Sequence, residues 1–196
     1  MHLRLALPVM LLLMICCSVS FAQQPGPEFW RKLTCQPYEP RTKLEGLEMK
    51  TGTVVLRGFT QIVTTEVRGV RIDALELRVL GTPLRAKGVV VAIRENAEHA
   101  DDNRAFVDYD DLDTLVAAID SLSRVDETAT KLAGFEAHYH TAGDLELRVF
   151  RQTRSGTAVT LQTGICNRTT QNLSLDDLAK IKALLQEAKS RLDELR

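Results

Sequence analysis

Three side chains that could bind a metal ion alternate along one predicted strand. Glu136, His138 and His140 are each separated by a single residue, so their side chains share one face of the strand. Imidazole nitrogens and carboxylate oxygens are both ligands of Zn²⁺. The spacing therefore predicts a divalent metal site, with a metal-dependent enzyme as one functional alternative. The other interpretation is a solvated strand face whose opposite side is buried.

Two further polar clusters lie close to the predicted start of a helix. His99, Asp101 and Asp102 fall in the polar segment 95–104, which we predict to be a surface loop. A run of four aspartates follows at 108, 110, 111 and 113. It lacks the central glycine and terminal glutamate of a calcium-binding EF-hand loop. We therefore predict that these aspartates cap a helix.

The sequence contains no motif for a nucleophile. It has no G-x-S-x-G, no glycine loop for phosphate and no H-E-x-x-H. An enzyme stays open as an alternative, because catalytic residues can assemble from distant positions. We expect no cofactor other than the divalent metal.

The cysteines divide into two pairs. Cys16 and Cys17 lie in the apolar amino-terminal segment, which leaves Cys35 and Cys166 in the rest of the chain. In an oxidising compartment we predict a disulfide between these two. Two free thiols or an intermolecular pair are the alternatives. Asn167 and Asn172 fit the N-x-S/T pattern for glycosylation, which applies if the source is eukaryotic.

Residues 1–22 have the features of a secretory signal. Arg4 supplies a positive charge, residues 5–19 form an apolar run, and Ser20, Phe21 and Ala22 fit a cleavage site. We predict export to the periplasm or the cell exterior, and no membrane span after cleavage. A retained anchor is the alternative. Residues 23–50 form a Pro-rich extension in which Trp30 is expected to anchor the segment to the body.

The composition argues against nucleic acid as a partner. The formal net charge is −1, and loss of Arg4 with the signal would make the chain more negative. The chain has six Phe, three Tyr and one Trp. Binding of nucleic acid uses a positive field and stacking aromatic rings.

The rest of the chain contains two similar series of predicted strands, each followed by a helix. Residues 75–79 and 145–149 both read LELRV, and DDL recurs at 110–112 and 176–178 at the two helix starts. Asp108 and Ser174 are the predicted N-caps, with Asp111 and Asp177 completing capping boxes. A change of phase in the strand predicted at residues 70–80 predicts a bulge near Asp73 or Ala74. The predicted strands cover residues 53–57, 59–67, 70–80 and 86–94, then 135–141, 145–152, 157–163 and 165–170.

These elements predict an α+β fold. We expect one domain over residues 51–196, built from two β4α repeats at about 53–124 and 134–195. Antiparallel sheets would carry the helices on one face.

The paired pattern resembles the duplicated strand–helix units of Whirly and PUR-type folds. It is also similar to uncharacterised exported bacterial proteins with a DYDDLDTLVAAID helix and an LSLDDL…EAK end. The first resemblance implies single-stranded nucleic-acid binding as a third functional hypothesis. The chain departs from those families in lacking a basic, aromatic sheet face, and a shared fold does not carry function with it.

We therefore predict a non-catalytic binding or interaction module. Its partner would be a protein or a small ligand outside the cytoplasm, and a homo-oligomer is compatible with the sequence. Arg78, Arg148 and Glu146 are the predicted ligand-binding residues. We expect them to share one sheet face with Glu76 and with the Glu136, His138 and His140 strand.

Overall fold

The computed structural model describes residues 39–94, 104–152, 156–164 and 168–195, all within one compact unit. Several predicted features lie outside these residues. They are the signal peptide, Trp30, the Cys35–Cys166 disulfide, the loop with His99, Asp101 and Asp102, and Asn167.

The described residues form two antiparallel four-stranded sheets and three α-helices, which confirms the α+β class. The strands of each sheet follow one another in sequence order. The first sheet contains β1 (Val55–Val67), β2 (Val70–Val79), β3 (Arg85–Ile93) and β4 (Arg104–Asp108). The second contains β5 (Glu136–His140), β6 (Glu146–Gln152), β7 (Gly156–Thr163) and β8 (Thr169–Leu173). The helices are α1 (Lys43–Glu48), α2 (Leu112–Leu122) and α3 (Leu175–Asp193).

The first sheet differs from its prediction at both edges. The predicted strands 53–57 and 59–67 are one strand, which passes through Gly58 opposite Glu76 without a break. The fourth strand is Arg104–Asp108, which the prediction divided between a loop and a helix start. Glycine weakens the interior of a strand without ending it, and the β1–β2 pairing continues on both sides of Gly58.

The predicted bulge is on β1 instead of β2. The β1–β2 register shifts between Ile62 and Val67, whereas β2 pairs with β3 without interruption. The change of phase in β2 has another cause, because both of its faces are buried. Ile72 and Ala74 join the central core, whereas Leu75 and Leu77 lie on the opposite face in a second apolar cluster.

The central core lies against one face of each sheet, here called the inner face, together with α2 and α3. Side chains that are at most 1% exposed include Ile72 and Val89 from the first sheet, Leu147 and Leu161 from the second, and Leu115 and Leu178 from the helices. Both helices bury a single apolar stripe with helical spacing. None of the described helices is long and apolar enough to cross a membrane.

Helix α1 covers part of the outer face of the first sheet. Its Leu44 is fully buried in a cluster with Leu75, Leu77 and Phe106. A side chain at Gly88 would overlap the Val107 carbonyl oxygen and Leu44, so only glycine fits beneath this helix. Residues 43–48 are therefore part of the folded unit, although the sequence placed them in the Pro-rich extension.

The amino-terminal N–H groups of α1 are satisfied by side chains. Thr42 and Glu45 form a reciprocal capping box. Asp108, at the end of β4, accepts hydrogen bonds from the backbone N–H groups of Lys43 at 2.7 Å and Leu44 at 3.1 Å. The first turn of a six-residue helix is thus held by a carboxylate from a distant strand.

Asp108 therefore does not cap the helix that follows it, contrary to the sequence prediction. A 3₁₀ turn, Tyr109–Asp111, separates it from α2, and neither Asp108 nor Asp111 makes a side-chain cap there. The matching prediction for α3 is confirmed. Ser174 Oγ accepts from Asp177 N, and the Asp177 carboxylate accepts from Ser174 N.

Candidate functional site

A polar cavity of about 160 Å³ lies at one end of the outer face of the second sheet. We call it the Asp144 pocket. It is lined by Arg41, His140, Thr141, Asp144, Glu146, Gln162, Gly164 and Arg168. Because β5, β6 and β7 are in register, His140 lies opposite Glu146 and Glu146 lies opposite Gln162.

The connection between β5 and β6 fixes one wall of the pocket. Thr141 N donates to the Leu145 carbonyl at 2.9 Å, and Leu145 N donates to Thr141 Oγ1 at 3.1 Å. Phe106 N of the first sheet donates to the Gly143 carbonyl at 3.2 Å. A Cβ atom on Gly143 would lie 1.9 Å from the Phe106 carbonyl oxygen. Only glycine allows the two sheets to approach this closely.

Asp144 is held in an unusual backbone conformation with its side chain largely buried. Its φ is +64°, a left-handed value that aspartate adopts more readily than most residues. Its side chain is 13% exposed, and Oδ1 accepts from Arg41 Nη1 at 3.0 Å. Oδ2 is buried and has no hydrogen-bond partner among the described residues. A buried acceptor without a donor is costly, so Oδ2 is an open hydrogen-bonding position.

Burial is the main reason why the pKa of Asp144 is raised above its ordinary value. The positive charge of Arg41 opposes this rise, and the negative charge of Glu45 adds to it. Smaller opposing effects come from Arg168 and His140.

Glu146 is the buried carboxylate on the opposite side of the pocket. Its side chain is 7% exposed, and Oε1 accepts from Arg148 Nε at 3.0 Å. Oε2 lies 3.7 Å from His140 Nδ1 and 4.0 Å from Arg168 Nη1. Burial alone would raise the pKa of Glu146, but the Arg148 hydrogen bond and the neighbouring positive groups outweigh it, so the pKa is lowered.

The pocket therefore contains positively and negatively charged side chains that still have hydrogen-bonding groups accessible to a ligand. The side chains of Arg41 and Arg168 are each 57% exposed, so guanidinium donors remain accessible to an anion. Asp144 Oδ2 lacks a donor among the described residues. A ligand with an ammonium group and an anionic group would complement both features.

The predicted metal ligands share the outer face of the second sheet, as expected from their alternation. The rings of His138 and His140 have centroids 5.0 Å apart, and Glu136 Oε1 lies 3.9 Å from His138 Nδ1. Glu136 also lies 3.4 Å from Arg148 Nε. In the part of the chain that the structure describes, no group of three or more His, Cys, Asp or Glu residues is arranged to hold a metal ion. The metal site stays a prediction from the sequence.

Of the predicted ligand-binding residues, Glu146 and Arg148 are brought together and Arg78 is not. Arg78 lies on β2 of the first sheet, where its Nε donates to Glu76 Oε1 at 2.8 Å. The single face expected from the sequence is thus divided between two sheets.

The two LELRV segments also face opposite ways. Leu75 and Leu77 lie on the outer face with α1, whereas Leu145 and Leu147 lie in the central core. Glu76 therefore occupies an inner-face position of the first sheet, whereas Glu146 lies on the outer face of the second sheet. Two identical sequence segments therefore do not specify which face of each strand a neighbouring helix will cover.

Sequence reasoning missed Arg41, Asp144 and Arg168 as site residues. None of the three was assigned to a site from the sequence, although Arg168 falls within the N-x-S/T pattern that begins at Asn167. The three meet through tertiary contacts over large sequence separations, such as the Arg41–Asp144 ion pair. No local spacing rule could have found them.

Another cavity, of about 260 Å³, lies beside the irregular part of β1 and is lined partly by Gln61, Arg71 and Arg94. There the Arg71 guanidinium is already bound to Asp73 through Nε at 3.0 Å and Nη2 at 2.6 Å. Asp73 also has a buried oxygen without a partner among the described residues, but it does not line this cavity. The Asp144 pocket is therefore the better candidate.

Comparisons with family models, with curated proteins and with solved structures gave no match to this chain.

Proposed function

We propose that the protein is an exported, non-catalytic binding module that takes a small zwitterionic ligand in the Asp144 pocket. The observation that carries the proposal is the buried Asp144 Oδ2, without a donor in the described part of the chain, beside the exposed guanidinium groups of Arg41 and Arg168. An ammonium group would donate to Asp144 Oδ2. A carboxylate or phosphate on the same ligand would bind the arginines.

The size of the cavity supports a small ligand. Its volume of about 160 Å³ is below the roughly 300–1,000 Å³ of pockets that hold drug-sized molecules. Free amino acids carry both charges and are small enough to suit this space.

Binding is favoured over catalysis because the carboxylates have structural partners. Glu146 is held by Arg148, and Asp144 Oδ1 is held by Arg41. These contacts preorganise the pocket, which lowers the entropic cost of binding a small ligand.

Isothermal titration calorimetry with a panel of free amino acids tests the proposal. The exported chain should bind at least one of them, and Asp144→Asn or Arg168→Gln should weaken that affinity tenfold or more. A tenfold weaker affinity is the expected result when a ligand loses one charged hydrogen-bond partner. Acetate and methylammonium, which each carry half of the zwitterion, should bind far more weakly.

Asp113→Asn is the matched control, because this exposed aspartate lies on α2 and pairs with Lys189. Its affinity should equal that of the unchanged protein. Asparagine tolerates the left-handed conformation at position 144, so the first variant should fold. No heat of binding for any amino acid, or equal affinity in Asp144→Asn, would contradict the proposal.

We also propose that the two halves are β4α repeats. The proposal is supported by two four-stranded sheets in sequence order, each followed by a helix. The LELRV segments fall at the second strand of each sheet, and the DDL segments fall at the helix starts. Export rests on the signal pattern of residues 1–22.

A further inference from the structure

The strand β1 leaves a long edge of the first sheet open. It spans 13 residues and pairs with β2 on one side, while no described strand pairs with its other side. Its pairing with β2 is regular from Val55 to Ile62, before the register shift. Along this regular part, alternate backbone N–H and C=O groups point away from the sheet and can accept another strand.

Exposed apolar side chains concentrate along the same edge. Of the ten large hydrophobic side chains that are exposed in the described residues, three belong to β1 and a fourth directly precedes it. These four are Val54, Leu56, Phe59 and Val63. Phe59 is 65% exposed and Val63 is 72% exposed. We call this surface the β1 edge.

The other sheet edges are protected in ways that β1 is not. Strands β4, β5 and β8 have five residues each. β4 is partly covered, because Phe106 N donates to Gly143 O. β5 carries Glu136 and two histidines, and short or charged edges resist strand addition. Among the described strands, the β1 edge alone combines length, neutrality and apolar side chains.

The charge pattern of β1 fits a second copy of itself. Arg57 is the one charged residue between Val55 and Thr65, and its Nη1 is bound to Glu48 Oε1 at 2.8 Å. In a two-fold antiparallel pairing centred on Thr60, Phe59 would face Gln61 of the other copy and Arg57 would face Val63. The two Arg57 residues would then be about 20 Å apart along the strands. This exceeds the Debye length of about 8 Å at physiological ionic strength.

We infer that the β1 edge joins two copies of this chain into a homodimer with a continuous eight-stranded sheet. Such an interface is isologous, because the same strand contributes from both subunits. Standard interfaces bury roughly 800 Å² per partner. The paired backbone and the exposed side chains of the β1 edge would both contribute buried area. The Asp144 pocket lies on the other sheet, so the inference stands independently of the proposed function.

Sedimentation equilibrium of the full exported chain over a range of concentrations tests the dimer. We expect a reversible monomer–dimer equilibrium. Phe59→Lys and Val63→Lys, made separately, should each raise the dissociation constant tenfold or more. The first places positive charges of the two copies at diagonal positions, and the second places a positive charge opposite Arg57 of the other copy, so both introduce like-charge repulsion. Leu132→Lys is the matched control, since this leucine is 76% exposed but lies outside the β1 edge. Its dissociation constant should not change.

A second variant reports on the register without disturbing the apolar contacts. Thr60→Cys should form a disulfide between the two copies at position 60 under mild oxidation, which peptide mass spectrometry identifies, whereas Leu132→Cys should not crosslink in this way. Circular dichroism confirms that each variant is folded. A monomer at every concentration to about 1 mM, a dimer that both lysine variants leave intact, or a dimer in which Thr60→Cys fails to crosslink would each overturn the inference.

Discussion

Asp144 and Glu146 are two residues apart, and yet their pKa values are displaced in opposite directions. Burial has the largest effect on the pKa of Asp144. At Glu146 the effect of burial on the pKa is outweighed by Arg148 and by neighbouring positive groups. Environment rather than residue type therefore decides which carboxyl group retains a proton more readily.

The opposite displacements predict opposite effects on stability. The pKa of Glu146 is lowered on folding, so its contribution is present above the pKa of the unfolded chain and is lost as pH falls through the folded value. Glu146→Gln should therefore lower the free energy of unfolding at neutral pH, and the difference from the unchanged protein should shrink in acid. Urea unfolding at neutral and acidic pH measures this difference. An equal difference at both pH values would contradict the prediction.

Asp144 should behave in the reverse sense. Its pKa is raised on folding, so the ionised side chain lowers stability at neutral pH, and this cost disappears as pH falls through the folded pKa. Asp144→Asn should therefore be as stable as the unchanged protein or more stable at neutral pH, with convergence in acid. The same urea experiment gives the result. A clear loss of stability at neutral pH would show that the Arg41 contact outweighs burial.

The histidine strand gives a separate prediction at the level of residues. If Glu136, His138 and His140 bind a divalent ion, His138→Ala with His140→Ala should abolish retention of Zn²⁺. The fold should persist, because both histidine side chains are more than half exposed. Equilibrium dialysis against Zn²⁺ measures retention, and His99, outside the strand, provides the control His99→Ala in the same exported chain. Equal retention by the double variant would reject the site.

At the level of elements, helix α1 depends on a side chain from β4. Asp108→Ala would remove acceptors from the N–H groups of Lys43 and Leu44. We expect the free energy of unfolding to fall by about 1–3 kcal/mol, the range for a lost cap and a buried charged hydrogen bond. Thermal and urea unfolding measure this change.

Asp110→Ala is the control for this element. Asp110 also contacts Lys43, but both side chains are more than two-thirds exposed, and exposed ion pairs contribute little. Its effect should stay within about 0.5 kcal/mol. Equal losses in the two variants would mean that α1 does not depend on the Asp108 cap.

Local signals were sufficient for some elements and insufficient for others. Helix α3 was predicted from its cap, its acidic first turn and its apolar stripe, which all lie within one continuous segment. Strand β4 and helix α1 were missed because their stability comes from partners elsewhere. β4 pairs with β3, and α1 is capped by Asp108 and packed on Leu75 and Leu77.

For the whole molecule, the predicted Cys35–Cys166 disulfide and the predicted signal cleavage can be tested together in the exported chain. Intact mass spectrometry of the exported chain should show Gln23 as the first residue and a mass two hydrogens below that of the reduced form. Cys35→Ser should lose this difference and leave a free thiol at Cys166. A long loop closed by a disulfide should contribute about 4–5 kcal/mol on the loop-entropy model. An uncleaved chain with two free thiols would contradict the prediction.

The sequence by itself determined the α+β class, most strand positions and the cap of α3, because periodicity, turn residues and capping pairs act over a few residues. Only the tertiary structure decided which faces are buried, since α1 covers Leu75 and Leu77 while the same letters at 145 and 147 enter the central core. Tertiary structure also assembled the Asp144 pocket. Arg41 precedes α1, Asp144 follows β5 and Arg168 precedes β8, and they meet because Gly143 lets the second sheet approach β4. Contacts of that range depend on the path of the whole chain, which no local pattern encodes.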